Sequence, residues 1–278
     1  MPTLKEVQLK IGSIKQTKKI TKAMNMVATS KLRGAQTNME AFRPYAIKFA
    51  EVLGSLAEKA GDDVSPLLIP KESVKRVNIV LCTSDRGLCG GFNANLIKVA
   101  EKYIEDNADR NLEISFTCFG KKGRDWCRKN TDFERKNEYL GVVGAKFDFN
   151  VASTAGRELI NGFLDDTYDE VYIIYSDFQG MAKQVATLKQ ILPIPPLEVA
   201  ETDAVQEESA SPLAEHICEP SPDELLGDML PRNIFIQIFS ALLETSTSEH
   251  AARMTAMDNA SKACSDMIDE LTLLYNKA

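Results

Sequence analysis

The sequence predicts an α/β chain in which two long terminal helices pair as an antiparallel coiled coil beside a smaller domain built on a mainly parallel sheet. Three patterns predict it. An apolar seam at coiled-coil spacing opens the chain, the same spacing closes it, and strands alternate with helices in between.

The N-terminal helical segment is placed at residues 1–60, with residues 3–57 reading as one helix. Alternating steps of three and four residues from Leu4 pass through Val7, Ile11, Ile14, Lys18, Thr21, Asn25, Ala28, Leu32, Ala35, Met39, Phe42, Ala46, Phe49, Leu53 and Leu56. A seam kept in register that long marks a coiled-coil strand. At 1.5 Å per residue the helix would run roughly 80 Å, too long to bury in a small globule. Pro44 is expected to kink or break it, so two helices divided near Arg43 remain open as an alternative. The C-terminal helix is placed at residues 231–278, with Pro231 in its first turn. Its seam runs through Ile236, Phe239, Leu243, Ser246, His250, Arg253, Met257, Ala260, Cys264, Met267, Leu271 and Leu274.

Both seams carry a polar interruption, at Lys18, Thr21 and Asn25 and at Ser246, His250 and Arg253. With the helices antiparallel, the two fall at one height. A coiled pair would normally place apolar side chains there, worth about 1.5–3 kcal/mol each when fully buried. Their absence predicts a local specificity device or contacts with something outside the pair. Ile20, Met24 and Val27 lie off the seam at this level, so an apolar band is expected to face outward towards a surrounding sleeve.

The α/β domain is placed at residues 74–210, and it is Rossmann-like. Val77–Thr83, Glu113–Phe119 and Glu170–Tyr175 read as strands; helices are expected from Asn93 to Glu105, Lys122 to Lys129 and Val151 to Leu164. A connecting loop at residues 211–230 completes the division, within an acid-, Ser- and Pro-rich stretch from Glu198 to Pro222.

No apolar run approaches the ~18 residues that would cross a bilayer, and Met1–Glu6 lacks a signal peptide's apolar core. A cytoplasmic protein of bacterial type is expected, with membrane association through partners. The six cysteines include no CxxC pair and there are only two histidines, so buried, inert thiols are expected and no metal site. The net charge of −7 conceals an asymmetry. Lys5, Lys10, Lys15, Lys18, Lys19, Lys22, Lys31, Arg33, Arg43 and Lys48 face only Glu6 and Glu40 in the first segment. The run Lys15–Lys22 has no interleaved aromatics, which leaves a solvated helix flank or an acidic protein partner as its two readings.

Ser84–Gly91 follows a strand and opens a helix, yet has neither P-loop nor dinucleotide spacing; it reads as a structural turn. A nucleotide-binding enzyme centred on Gly87–Gly91 is a third-ranked reading. There is no nucleophile elbow, and His250 reads as a polar seam residue rather than a catalyst. Asp165, Asp166, Asp169 and Glu170 read as a solvated face rather than a metal site. No catalytic residue, metal or cofactor is expected.

Lys18–Arg33 (KKITKAMNMVATSKLR), Thr83–Gly91 (TSDRGLCGG), Ala256–Lys262 (AMDNASK) and Leu274–Ala278 (LYNKA) resemble, in order and spacing, the hallmark segments of ATP synthase gamma subunits of the F-type, bacterial kind. The resemblance spans the chain. It implies a non-catalytic rotor shaft that couples proton translocation to ATP synthesis or hydrolysis on the beta subunits. It also implies three partners: a ring of three alpha and three beta subunits, an epsilon subunit and a membrane c-ring. The location it implies is peripheral, at the cytoplasmic face of the inner membrane, with no nucleic acid partner and no direct membrane insertion. The ring-facing residues are expected to be Lys22, Met24 and Val27, with Arg253 against the acidic lever of a beta subunit. The footing on epsilon and the membrane ring is expected near His216, Cys218 and Glu219, within the stretch reaching Asp223. Relatives in that family usually continue past Asn276–Ala278 with a further helical stretch, so a truncated or unusual chain is expected at this end. A free-standing coiled-coil scaffold or adaptor is the alternative.

Overall fold

The computed structural model describes residues 3–57, 65–130, 133–195 and 221–277. Helix α1 (Leu4–Ala57) leads to β1 (Arg76–Cys82), α2 (Phe92–Asp106), β2 (Glu113–Phe119), α3 (Lys121–Asn130), β3 (Glu134–Tyr139), α4 (Phe149–Leu164), β4 (Glu170–Phe178), β5 (Gln184–Leu192) and α5 (Pro222–Lys277). A short 3-10 turn at Ala108–Arg110 precedes β2.

Helices α1 and α5 pair antiparallel. Asn25 Nδ2 donates to the Met254 carbonyl at 2.8 Å, and further along the Phe42 and Phe239 rings meet edge-on at 4.8 Å. Every α1 seam position from Val7 to Leu56 is buried or half-buried, as its periodicity predicts. On α5 the seam holds through Cys264. Beyond it Leu271 stays half-buried, but Met267 and Leu274 are exposed and Ile268 takes the inward side in place of Met267. A straight helix drifts against a strict seven-residue repeat, which moves the inward face by one residue.

Two expectations about prolines are corrected. Helix α1 is continuous through Pro44, with aromatic contacts among Phe42, Tyr45 and Phe49 spanning the site. Pro231 lies inside α5, which begins at Pro222 within the stretch expected to be loop. The reason is burial: Leu226, Leu230 and Ile234, spaced one turn apart, insert into the domain core.

The sheet has the order β3-β2-β1-β4-β5. Its first four strands are parallel, and β5 returns antiparallel to β4. The sequence reading lacked both edge strands. Alternate residues of β1 serve two cores. Val77, Ile79 and Leu81 pack with Leu96 of α2 and Cys127 of α3. Val80 and Cys82 pack with Leu159 of α4, Leu230 and Ile238 of α5, and Leu53 and Leu56 of α1. The globular domain is therefore closed on one side by the shaft. At Gly156 an added Cβ would lie 2.3 Å from Phe235, so α4 and α5 approach as closely as they do because that position has no side chain.

Asp169 corrects the solvated-face reading of the acidic turn before β4. It is buried, accepts from the backbone amides of Lys75 and Arg76 at 2.9 and 2.7 Å, and pairs with the Arg76 guanidinium at 2.7 Å. Burial opposes its ionisation, yet the Arg76 hydrogen bond and the two amides prevail and hold its carboxyl below the usual range. Asp166 pairs with Lys71 at the surface.

Candidate partner-binding surface

The polar interruption in the α5 seam has a structural cause. Thr245, Ser246, Thr247 and Ser248 are all buried, because α5 is here enclosed by α1 on one side and the domain on the other. Thr245 Oγ1 accepts from the Ser176 amide at 3.3 Å, and Ser248 Oγ donates to the Ser176 carbonyl at 3.2 Å. Ser246 Oγ accepts from the Gly144 amide at 2.9 Å. The contacts outside the helical pair are, at these residues, contacts with the chain's own sheet and with the loop after β3.

One turn further along α5 is a cluster of buried charge. The Glu249 carboxyl is 4% exposed, lies 2.8 Å from His250 Nδ1 and is paired with Arg253. Burial opposes its ionisation, but the contacts with His250 and Arg253 hold it below the usual carboxylate range. Arg253 also donates to the Gly87 carbonyl at 2.6 Å, so its guanidinium bridges the shaft to the Gly-rich turn. That turn is braced from within. The Ser84 amide donates to Asn93 Oδ1 at 3.0 Å, and Asn93 Nδ2 donates to Ser84 Oγ at 2.8 Å and to Cys89 Sγ at 3.2 Å. Leu88, at φ 66°, points outward from it and is 64% exposed.

These elements border a cleft of about 520 Å³ between the coiled coil and the domain. Met24, Val27 and Lys31 of α1, Asp85 and Arg86 of the turn, Lys121, Val143, and Glu249 and Arg253 of α5 line it. Three sequence-selected residues, Met24, Val27 and Arg253, thus meet in one place. Lys22 is exposed on α1 outside the cleft lining, while Ile20 and Val27 are 59% and 58% exposed. The cleft presents Lys31, Arg86, Lys121 and Arg253 against Asp85 and Glu249, an excess of cations beside apolar surface. Asp85 is partly spent, since it accepts from the Lys121 amide at 3.1 Å at the start of α3. Sequence reasoning missed Lys31, Arg86 and Lys121 as neighbours of this band; the turn that carries Arg86 was read as a structural turn and a family hallmark, not as part of a basic surface.

His216, Cys218 and Glu219 lie outside the described residues. The other five cysteines are buried, with Cys118 and Cys127 Sγ atoms 3.8 Å apart in the core under α3. Burial raises the Cys89 thiol above its usual value. Among the described residues no cluster of three or more metal-ligating side chains occurs, and no helix is long and apolar enough to cross a membrane.

Residues 3–278 match the family model described as ATP synthase. The chain is 76% identical over 278 residues to a protein named ATP synthase gamma chain from Desulfosudis oleivorans, covering 100% of this chain and 93% of that one. It is 62% identical to the ATP synthase gamma chain of Desulforapulum autotrophicum, with the same coverage. Among solved structures it resembles a chain of the central stalk and c-ring of the Tetrahymena thermophila mitochondrial ATP synthase. The TM-score there is 0.60 at 24% identity, over 87% of this chain and 99% of that one. It also resembles a chain of the Euglena gracilis mitochondrial ATP synthase rotor, with a TM-score of 0.64 at 17% identity over 99% and 96%.

Proposed function

The chain belongs to the ATP synthase gamma-chain family, and from that premise we propose that it is the central rotor shaft of an F-type ATP synthase. It performs no chemistry itself; the catalytic sites lie on the beta subunits. The observation that carries this reading is the antiparallel pairing of α1 and α5 along a seam running from Val7 to Leu56, with a globular domain attached on one side only. A rod that is not symmetric about its axis meets three equivalent partner sites differently, and differential contact is what biases each site towards a distinct state. One charge crossing 100 mV supplies about 2.3 kcal/mol, so several steps must be summed through a stiff element. A two-helix rod bolted to a sheet by buried hydrogen bonds meets that need. The free-standing adaptor is not favoured, since the relatives above are ATP synthase gamma chains.

The proposed partners are an alpha3beta3 ring, an epsilon subunit and a membrane c-ring, at the cytoplasmic face of the bacterial inner membrane. Lys22, Met24 and Val27 supply the band that faces the ring. The basic cleft suits an acidic segment of a beta subunit. Arg253 belongs to this surface mainly through the Gly87 carbonyl, because it fixes the turn that carries Arg86 and Leu88 outward. His216, Cys218 and Glu219 are proposed for the footing on epsilon and the c-ring. Co-expression with alpha and beta subunits tests the assignment: a stable ATPase forms with this chain and not without it. Lys22→Glu, an exposed change, lowers pumping per ATP hydrolysed, whereas unaltered pumping removes Lys22 from the contact.

A further inference from the structure

We infer that the crevice where the Gly-rich turn, β4 and α5 meet binds a small tetrahedral oxyanion of the phosphate class, held by the start of α2 and the Ser176 hydroxyl.

The sheet prepares a place for it. β1 pairs with β2 on one side and with β4 on the other, all three parallel. The chain runs outward from β1 to β2 and β3, then returns to the far side of β1 as β4. Such a reversal of strand order opens a gap at the carboxyl ends of the strands, which is where open α/β sheets take ligands. A cavity of about 230 Å³ lies on the α2 side of this end of the sheet, bordered by Gly90 and Gly91 of the turn, Asn95 of α2, Ser176 of β4 and Asn259 of α5. It shares no lining residue with the basic cleft beside α1, so a ligand here is separate from the beta-subunit contact proposed above.

Two independent features point to an anion. The first is the start of α2, which has no side-chain cap at Gly91. Its first helical bond runs from the Asn95 amide to the Gly91 carbonyl at 2.9 Å, which leaves the Asn93 and Ala94 amides with no backbone acceptor among the described residues. Orphan amides and the positive end of the helix dipole together favour negative charge. The second feature is Ser176. It is 3% exposed and continues the row of Tyr172 and Ile174 on the α2 side of β4. Thr245 and Ser248 occupy its backbone amide and carbonyl, but its hydroxyl borders the cavity with no hydrogen-bond partner among the described residues. A buried hydroxyl left unpaired is costly, so a ligand or water must meet it. The carboxamides of Asn95 and Asn259 are likewise uncommitted among the described residues. Donors thus converge from three elements, which suits a tetrahedral ion better than a flat carboxylate. The lining holds no Lys, Arg, Asp or Glu. A metal cation therefore has no carboxylate to hold it, and the anion is bound by neutral donors and the helix field. The volume is below the roughly 300 Å³ at which sites for larger organic ligands begin, so a free ion fits better than a whole nucleotide.

Titration of the purified full chain, carrying isotope-labelled glycine, with inorganic phosphate tests this by NMR. The Gly90 and Gly91 amide signals are expected to move and to saturate at millimolar phosphate, while sodium chloride of equal ionic strength leaves them in place. Ser176→Ala is expected to weaken binding about tenfold, the loss of one hydrogen bond to a charged group. It should not lower stability in phosphate-free buffer, since that hydroxyl has no partner to lose. At Gly91 an added Cβ comes no closer than 3.7 Å to the Asn95 side chain. Gly91→Asp therefore sets a carboxylate at the same helix start and is expected to abolish the Gly90 shift. Signals that stay in place, or that drift without saturating, overturn the inference, as does either variant that binds phosphate at parent strength. ADP at equal concentration distinguishes the source: a larger displacement by ADP than by phosphate overturns the free ion in favour of a nucleotide's phosphate. Should Ser176→Ala fail to fold, Gly91→Asp decides alone by the same criterion.

Discussion

Arg253→Ala removes the one side chain that joins the shaft, the buried acid on the next turn and the Gly-rich turn. In the parent its guanidinium gives a 2.6 Å hydrogen bond to the Gly87 carbonyl and an ion pair to Glu249. Truncation leaves the Glu249 carboxylate at 4% exposure with His250 as its remaining polar contact, and leaves the Gly87 carbonyl without its guanidinium donor. An ion pair broken from one side in such a setting costs about 3–5 kcal/mol, most of it the uncompensated buried charge. Urea denaturation of the purified chain reads the cost. Trp126, the only tryptophan, lies in the domain against Phe116 and reports unfolding by fluorescence. Arg253→Lys keeps the charge but not the two-pronged geometry and should fall in between, at about 1–2 kcal/mol. The double variant Glu249→Gln with Arg253→Met removes both charges and should recover most of the loss. The pH profile supplies a further check. Glu249 is held below its ordinary value, so the pair stabilises above about 4.5, and that contribution is lost as pH falls through the folded value. Arg253→Ala should flatten this acid limb. A change within about 0.5 kcal/mol of the parent, or a double variant no better than Arg253→Ala, would refute the account of Arg253 as the clamp.

Two glycines should respond oppositely to alanine. Gly120 has φ +90° and an added Cβ would sit 2.1 Å from the Thr83 carbonyl oxygen, so Gly120→Ala should cost at least about 4 kcal/mol in the same denaturation assay. Gly12 lies inside α1 with nothing within 4 Å of such a Cβ, so Gly12→Ala should add about 0.5–1 kcal/mol. Asp169→Asn should lower stability by about 1.5–3 kcal/mol at neutral pH, the worth of charged hydrogen bonds to the buried carboxylate. Its effect should shrink as the solution is acidified below about 3.8, since the parent's advantage is lost as Asp169 itself takes up a proton.

Much of this architecture was legible because helical periodicity is a local signal. The α1 seam from Val7 to Leu56 emerges from counting, and so do the Val77 and Glu113 strands, whose runs are buried on both faces and mainly apolar. β3 was not legible. Glu134–Tyr139 is an exposed edge strand whose side chains are mostly charged, so its pairing with β2 is decided by the sheet rather than by its own residues. The start of α5 was misread because the acid-, Ser- and Pro-rich stretch ending at Pro222 was taken to lead into a loop and Pro231 was placed in the first turn, while the one-turn spacing of Leu226, Leu230 and Ile234 went uncounted. At the candidate surface, Met24 and Val27 stood out as apolar residues off a seam. The bond from Arg253 to Gly87 joins positions far apart in sequence, and no pattern within either segment specifies it.

The interleaving of shaft and domain in one core also fixes an order of events during synthesis. Leu53 and Leu56 leave the ribosome early, but Leu226, Leu230 and Ile234 complete the same core. Roughly 165 residues separate the end of α1 from the start of α5, so at about 5–20 residues per second the first helix waits on the order of 8–30 s for its mate. Throughout that interval the nascent chain carries an unpaired greasy stripe, a substrate for holding chaperones and a hazard at high expression.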